Sequence, residues 1–158
     1  MVRLIPMSDS DYEAFISWAE EDYAREQVRV GAWSAEEAAE LAHQAFAARL
    51  PDGLATPKQI LSLIVSAAAG EHVGWLWWGV EERGARRFAT LNDIQIFPAQ
   101  RRRGYAALAL QALEQQVRAE GLESIFLHVF GHNEGARALY RKLGYVERNI
   151  TMMKALAD

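Results

Sequence analysis

"FPAQRRRGYAALAL", residues 97–110, sets three consecutive arginines and a glycine at the mouth of an apolar run. Past Pro98 the apolar positions take helical spacing: Ala106, Ala109, Leu110, Leu113 and Val117 share one face, and Gly121 supplies a stop. The stretch therefore reads as the end of a strand, a turn, and a helix starting near Arg102 or Arg103. The first turn of a helix offers backbone N–H groups without intrahelical partners and the positive end of the helix dipole. Such a turn can seat an anion. Gly104 and Ala106 leave little bulk between the backbone and a ligand, so phosphate oxygens can come close. Three readings compete: a solvated basic turn, a nucleic-acid contact, and a seat for the phosphates of a small molecule.

Bulk composition narrows the choice. The 158 residues, 51% hydrophobic and 24% charged, are enough for one domain, 1–158, with a real core. The net charge of −4 argues against nucleic acid, because phosphate neutralisation dominates that kind of affinity. There is no cysteine, hence no disulfide, thiolate metal site or cysteine nucleophile. His43, His72, His128 and His132 are scattered without metal-ligand spacing, so no metal is expected. The first fifteen residues turn acidic at once, and no apolar run reaches the length of a membrane span. A cytoplasmic location with no membrane partner is the expectation.

Outward from the arginine turn, the rest of the chain falls into alternating elements. Val2 to Ile5 reads as a strand, and Ser10 with Glu13 as a capping box for a helix to about Val28. Ser34 with Glu37 opens a second helix, which "LPDG", residues 50–53, ends. Residues 59–66, 72–80 and 87–97 are rich in Ile, Val, Trp and Phe and separated by turn residues, so they read as three antiparallel strands. Residues 124–130 form a further strand, Asn133 caps a last helix, and residues 145–155 close with one or two strands. The fold class is α/β, a mixed, mostly antiparallel central sheet flanked by helices.

Two motifs in this frame carry a resemblance. Arg101-Arg102-Arg103-Gly104-Tyr105-Ala106 fits Q/R-x-x-G-x-G/A, and "LHVFGHNEGARALYRKLGY", residues 127–145, fits L-x-V-x-x-x-N-x-x-A-x-x-L-Y-x-K-x-G-F/Y. Both resemble the GCN5-related N-acetyltransferase (GNAT) superfamily, in the usual order and separation. Residues 88–146 match closely; Ala106 stands where glycine is commoner. The resemblance implies the acyl-CoA N-acyltransferase (GNAT) fold and an enzyme that moves acetyl from acetyl-CoA, its cosubstrate, to an amine.

It also implies roles. Ile94, Gln95 and Ile96 would pair with the pantetheine arm like an added strand, and an N–H near Ile94 or Gln95 would face the thioester oxygen. Arg101, Arg102, Arg103, Gly104, Tyr105, Ala106 and Ala107 would hold the pyrophosphate, and Asn133 would contact the CoA arm. Tyr140 matches the tyrosine beside the sulfur, suited by a phenol pKa of about 10 to protonate the departing thiolate. For the general base there are two candidates. His128 matches the place where some family members carry a catalytic histidine or glutamate, and Asp93 lies on the strand beside the thioester. His43, His72 and His132 read as surface residues, and Thr90 and Asn92 as groups able only to orient a water.

The acceptor is the least legible part. Glu20, Glu21, Asp22, Glu26, Glu36, Glu37 and Glu40 make the first two helices acidic, which would draw in a cationic amine. The same pattern suits plain solvated faces. Small amine, polyamine, antibiotic and peptide N-terminus stay open, and a homodimer is an expectation from the resemblance alone. The competing functional reading is a non-catalytic acetyl-CoA sensor of the same fold.

Overall fold

The computed structural model describes residues 1–156. The elements run β1 (Val2–Pro6), α1 (Asp9–Arg29), α2 (Ala38–Arg49), β2 (Gln59–Ser66), β3 (His72–Arg83), β4 (Arg86–Ile96), α3 (Tyr105–Ala119), β5 (Ile125–Leu127) and α4 (Glu134–Lys142). The strands form one sheet in sequence order, β1-β2-β3-β4-β5, antiparallel except for a parallel β4–β5 pair. The mixed, mostly antiparallel sheet flanked by helices is therefore present. No helix among the described residues is long and apolar enough to cross a membrane. The described chain falls into two compact units, residues 1–127 and 128–156, taken separately below.

In the first unit, the alternation of β3 divides the core. Trp75 and Trp77 pack with Phe15, Ala19, Phe46 and Leu50 of the α1–α2 layer. Phe15 meets both tryptophans edge-on, with ring centroids 5.7 and 6.3 Å apart. Leu76 and Trp78 point the other way, and α3 packs over β1 and β4 by burying Ala109, Leu110, Leu113 and Val117. The helical stripe anticipated for α3 is the stripe it buries. At Gly74 an added Cβ would stand 2.0 Å from the Gln95 carbonyl oxygen, so only glycine lets β3 lie this close to β4 there.

Helix starts differ from the sequence reading in register. The box of α1 is Ser8 with Asp11: Ser8 Oγ accepts from the Asp11 N–H at 3.3 Å and Asp11 Oδ2 from the Ser8 N–H at 2.9 Å. Expected at Ser10 and Glu13, the cap sits two residues earlier, because Asp11 is as able to reach back as a glutamate would be. The Ser34 hydroxyl donates to Glu37 Oε2 at 2.6 Å, and α2 opens only at Ala38, without a side-chain cap. These two side chains satisfy each other, and the Ala38 N–H is served by the Ser34 carbonyl at 3.1 Å instead of by a side chain.

The second unit holds α4, with Asn133 Oδ1 accepting from the Ala136 N–H at 3.2 Å, the cap the sequence implied. The expected closing strands over 145–155 are not there: residues 145–156 have neither helix nor strand. Glu147 is instead drawn to Arg137, at 3.0 Å, and Arg141, both on α4. That carboxylate is held below its usual pKa by the two guanidinium bonds. A strand needs a partner to satisfy its backbone, and this segment's strongest local bonds are to a helix.

Candidate active site

The arginine-glycine turn lies between β4 and α3. A short 3-10 turn, Pro98–Gln100, leads into it. Arg102 adopts a positive φ of 64° and Gly104 one of 79°, so the backbone reverses twice before α3 begins at Tyr105. For an arginine this costs roughly 1–2 kcal/mol, a strain that clusters at binding loops. Gly104 is the N-cap and has no side chain to cap with; the first internal bond runs from the Leu108 N–H to the Gly104 carbonyl. The N–H groups of Tyr105, Ala106 and Ala107 thus lack intrahelical acceptors, and the first turn holds no acidic residue. Arg103 Nη1 donates to Gln100 Oε1 at 3.1 Å, and Arg101 Nε donates to the Ile96 carbonyl at 3.0 Å, tying the turn to the end of β4. All three arginines are exposed.

β4 changes character at Asn92. Trp77 stands opposite Asp93 and Trp78 opposite Leu91, so Asn92 is the extra residue of a bulge. Pairing with β5 runs only from Ala89–Ile125 to Leu91–Leu127 and ends where the bulge begins. From Asp93 to Ile96 the outer edge of β4 has no strand beside it among the described residues. The Phe97 N–H bonds the Val73 carbonyl. By alternation the N–H groups of Ile94 and Ile96 point outward and that of Gln95 toward β3. An extended chain could add to this edge.

Asp93 sits at the start of that edge, half-buried. Desolvation by burial, and then the carboxylate of Asp22 on α1, push its pKa up to about 7, against a smaller lowering by the Ile94 N–H, which donates to it. The bulge puts two successive side chains on the α1–α2 face. Asn92 meets α2 through Arg49, while the charge on Asp93 responds to α1. The Thr90 hydroxyl is buried there without a protein partner.

In the second unit, His128 is exposed, one residue past the end of β5, where a place within the strand was expected. Its ring meets Phe130 edge-on at 5.4 Å. Tyr140 lies on α4 seven positions past Asn133, its ring centroid 5.5 Å from that of Tyr145. His72, expected in solvent, is half-buried: its Nε2 bonds the Gly74 carbonyl at 2.9 Å, and its ring packs against Phe97 at 4.8 Å. His43 is exposed and pairs with Glu20 at 3.1 Å.

The chain as a whole is similar to known proteins. Residues 12–145 match the model of the Acetyltransferase (GNAT) family. The chain belongs to the GNAT family. Bacillus subtilis YycN, an uncharacterised N-acetyltransferase, is 36% identical over 98% of this chain and 99% of its own length. YdgE of the same organism, also an uncharacterised N-acetyltransferase, is 35% identical over 95% of each chain. The crystal structure of YycN superposes with a TM-score of 0.94 at 35% identity, covering 100% of both chains. An aminoglycoside acetyltransferase from soil metagenomic DNA, HMB0005, shares the fold at a TM-score of 0.62 and 21% identity over 99% of both chains. The protein is thus a GNAT-family N-acetyltransferase.

Two residues beside the GNAT strand, Arg49 and Gln59, escaped the sequence reading as parts of a site. Both bond Asn92, and Gln59 also accepts from the Trp77 indole, although up to 43 positions separate bonded pairs. No local spacing could have signalled them; a Gly79 opposite a strand polar residue was the one hint, since Gln59 lies over it.

Proposed function

We propose that the protein transfers the acetyl group of acetyl-CoA directly to a primary amine, with Asp93 as general base. The observation that carries this reading is the place of Asp93, directly after the bulge at the head of the β4 edge that β5 leaves unpaired, where burial raises its carboxyl to about 7. A base near neutrality removes the ammonium proton while staying largely ionised at physiological pH. The free amine then attacks the thioester carbon, the C–S bond breaks, the CoA thiolate takes a proton from Tyr140, and the amide nitrogen gives up its remaining surplus proton, which restores the Tyr140 hydroxyl. His128 is the competing base.

The residues present fit acetyl-CoA. The N–H groups at the start of α3 and the exposed arginines 101–103 suit the pyrophosphate, with Tyr105, Ala106 and Ala107 supplying the backbone donors. The outward groups of Ile94 and Ile96 suit the amide-bearing arm, and Asn133 is assigned a contact to it. Ile94, whose N–H points outward, is the better oxyanion donor than Gln95.

The acceptor is assigned as cationic. Glu20, Glu21 and Arg25 of α1 and Ala35, Ala38 and Ala39 border an open groove between the first two helices, and Asp22 adds charge facing Asp93. Thiol release from acetyl-CoA, measured against polyamines, aminoglycosides, amino acids and short peptides, tests the assignment. Release with a cationic class supports it; acetyl-CoA binding without release in any class would favour the sensor reading.

A homodimer is part of the proposal. Val146, Ile150, Met152, Met153 and Leu156 are between 73% and 90% exposed, an apolar set that association with a second copy would cover. Sedimentation velocity across a concentration series checks it, a monomer at every concentration being the contrary result.

A further inference from the structure

The bulge in β4 is held from outside its own strand. Arg49, the last residue of α2, donates through Nη2 to Asn92 Oδ1. Asn92 Nδ2 donates to Gln59 Oε1 at 3.3 Å, and the same oxygen accepts from Trp77 Nε1 at 2.7 Å. Trp77 is 1% exposed, so its indole N–H has no access to water and depends on Gln59. The Arg49 guanidinium also lies 4.9 Å from the Trp77 ring centroid. Gln59 in turn rests on Gly79, where a Cβ would come within 2.7 Å of its amide. One extra backbone residue is thereby gripped from α2, β2 and β3 at once.

A bulge residue has no ladder partner of its own and bends the strand, so its side-chain bonds decide how far that bend is defined. The residue after it is Asp93, whose direction follows from the bend. We propose that Arg49, Asn92 and Gln59 form a clamp on the β4 bulge, and that this clamp is what aims the Asp93 carboxyl and the outward Ile94 N–H at the reacting atoms. The three are positioning residues. Their role in turnover rests on the reading of Asp93 as the base.

The clamp makes a prediction whose sign separates it from simple electrostatics. The charged group acting on Asp93 is Asp22 of α1, itself paired with Arg25 at 3.0 Å; Arg49 of α2 bonds the neighbouring Asn92, and β3 contributes the neutral Trp77. Deleting a nearby positive charge alone would raise the pKa of a carboxyl. Freeing the bulge would let Asp93 reach water and lower it.

The test is carboxyl-carbon NMR titration of Asp93 in the full-length protein, which needs no acceptor, for wild type, Asn92→Ala, Arg49→Met and Arg49→Lys. The clamp predicts a midpoint lower by one unit or more in Asn92→Ala and Arg49→Met, with Arg49→Lys between them and wild type. An unchanged midpoint in folded Asn92→Ala, or a raised one in Arg49→Met, would overturn it. Arg49 is exposed, so Arg49→Met stays interpretable even if Asn92→Ala fails to fold. Failure of the base reading shows separately: Asp93→Asn would then keep the acidic limb of its pH–rate profile, whatever the titrations of the clamp variants gave.

Discussion

Asp22 on α1 and Asp93 on β4 are coupled: the charge of the first raises the pKa of the second. The acidic limb of kcat/KM should therefore follow Asp93 near pH 7, and Asp22→Asn should move it to lower pH. Asp93→Asn should cut kcat by roughly 10²–10⁴ and abolish the limb, a typical range for loss of a general base. pH–rate profiles of the three proteins decide the matter. An unaltered limb in Asp93→Asn with its loss in His128→Ala would transfer the role to His128.

The same carboxyl sets a pH dependence of stability. Its folded pKa of about 7 stands above the ordinary 3.8, so between those values the folded chain holds a proton that the unfolded chain has released. The contribution to stability is therefore greatest below about pH 4, declines toward pH 7 and is flat above it. Asp93→Asn removes the decline and should be more stable than wild type at pH 8 by on the order of 1–3 kcal/mol. Urea unfolding at pH 5 and pH 8 measures it, equal differences at the two pH values being the contrary result.

At the arginine-glycine turn the side chains are exposed and the backbone is strained. Arg102→Ala with Arg103→Ala should weaken acetyl-CoA binding roughly tenfold or more while the circular dichroism spectrum stays unchanged. Gly104→Ala should do harm by another route, because a Cβ at φ 79° is strained although it meets no neighbour. Calorimetric titration with acetyl-CoA distinguishes these from variants outside the turn. Undiminished affinity in the double variant would remove the arginines from the pyrophosphate site.

Tyr140→Phe keeps the ring and removes the hydroxyl. Turnover should fall by about tenfold to a hundredfold, with acetyl-CoA affinity little changed, as expected when a general acid is lost and the binding surface kept. A drop in affinity equal to the drop in turnover would make Tyr140 a binding residue instead.

Much of this site was legible along the chain because its parts are local. The arginine-glycine turn is spelled by six successive residues, and the α4 cap by Asn133 alone. β2 was read to the residue, since its Ile, Leu and Val run is bounded by turn residues on both sides. Register at helix starts was not, because Ser8 with Asp11 and Ser10 with Glu13 are equally able to form the box.

The segment 145–155 shows the limit in the other direction: its β-rich composition suggested strands, yet strand formation requires a partner edge, which composition does not specify.

Sequence alone determined the family, most of the helices and strands and the arginine-glycine turn before α3, because each is written in spacing over a few residues. Tertiary structure decided that β4 bulges at Asn92, that among the described residues no strand pairs with its outer edge from Asp93, and that Arg49, Gln59 and Trp77 meet there. It also decided the proton affinity of Asp93, which depends on burial and on an aspartate 71 positions away. Desolvation and Coulomb energy are set by distance in space, and distance along the chain carries no record of them.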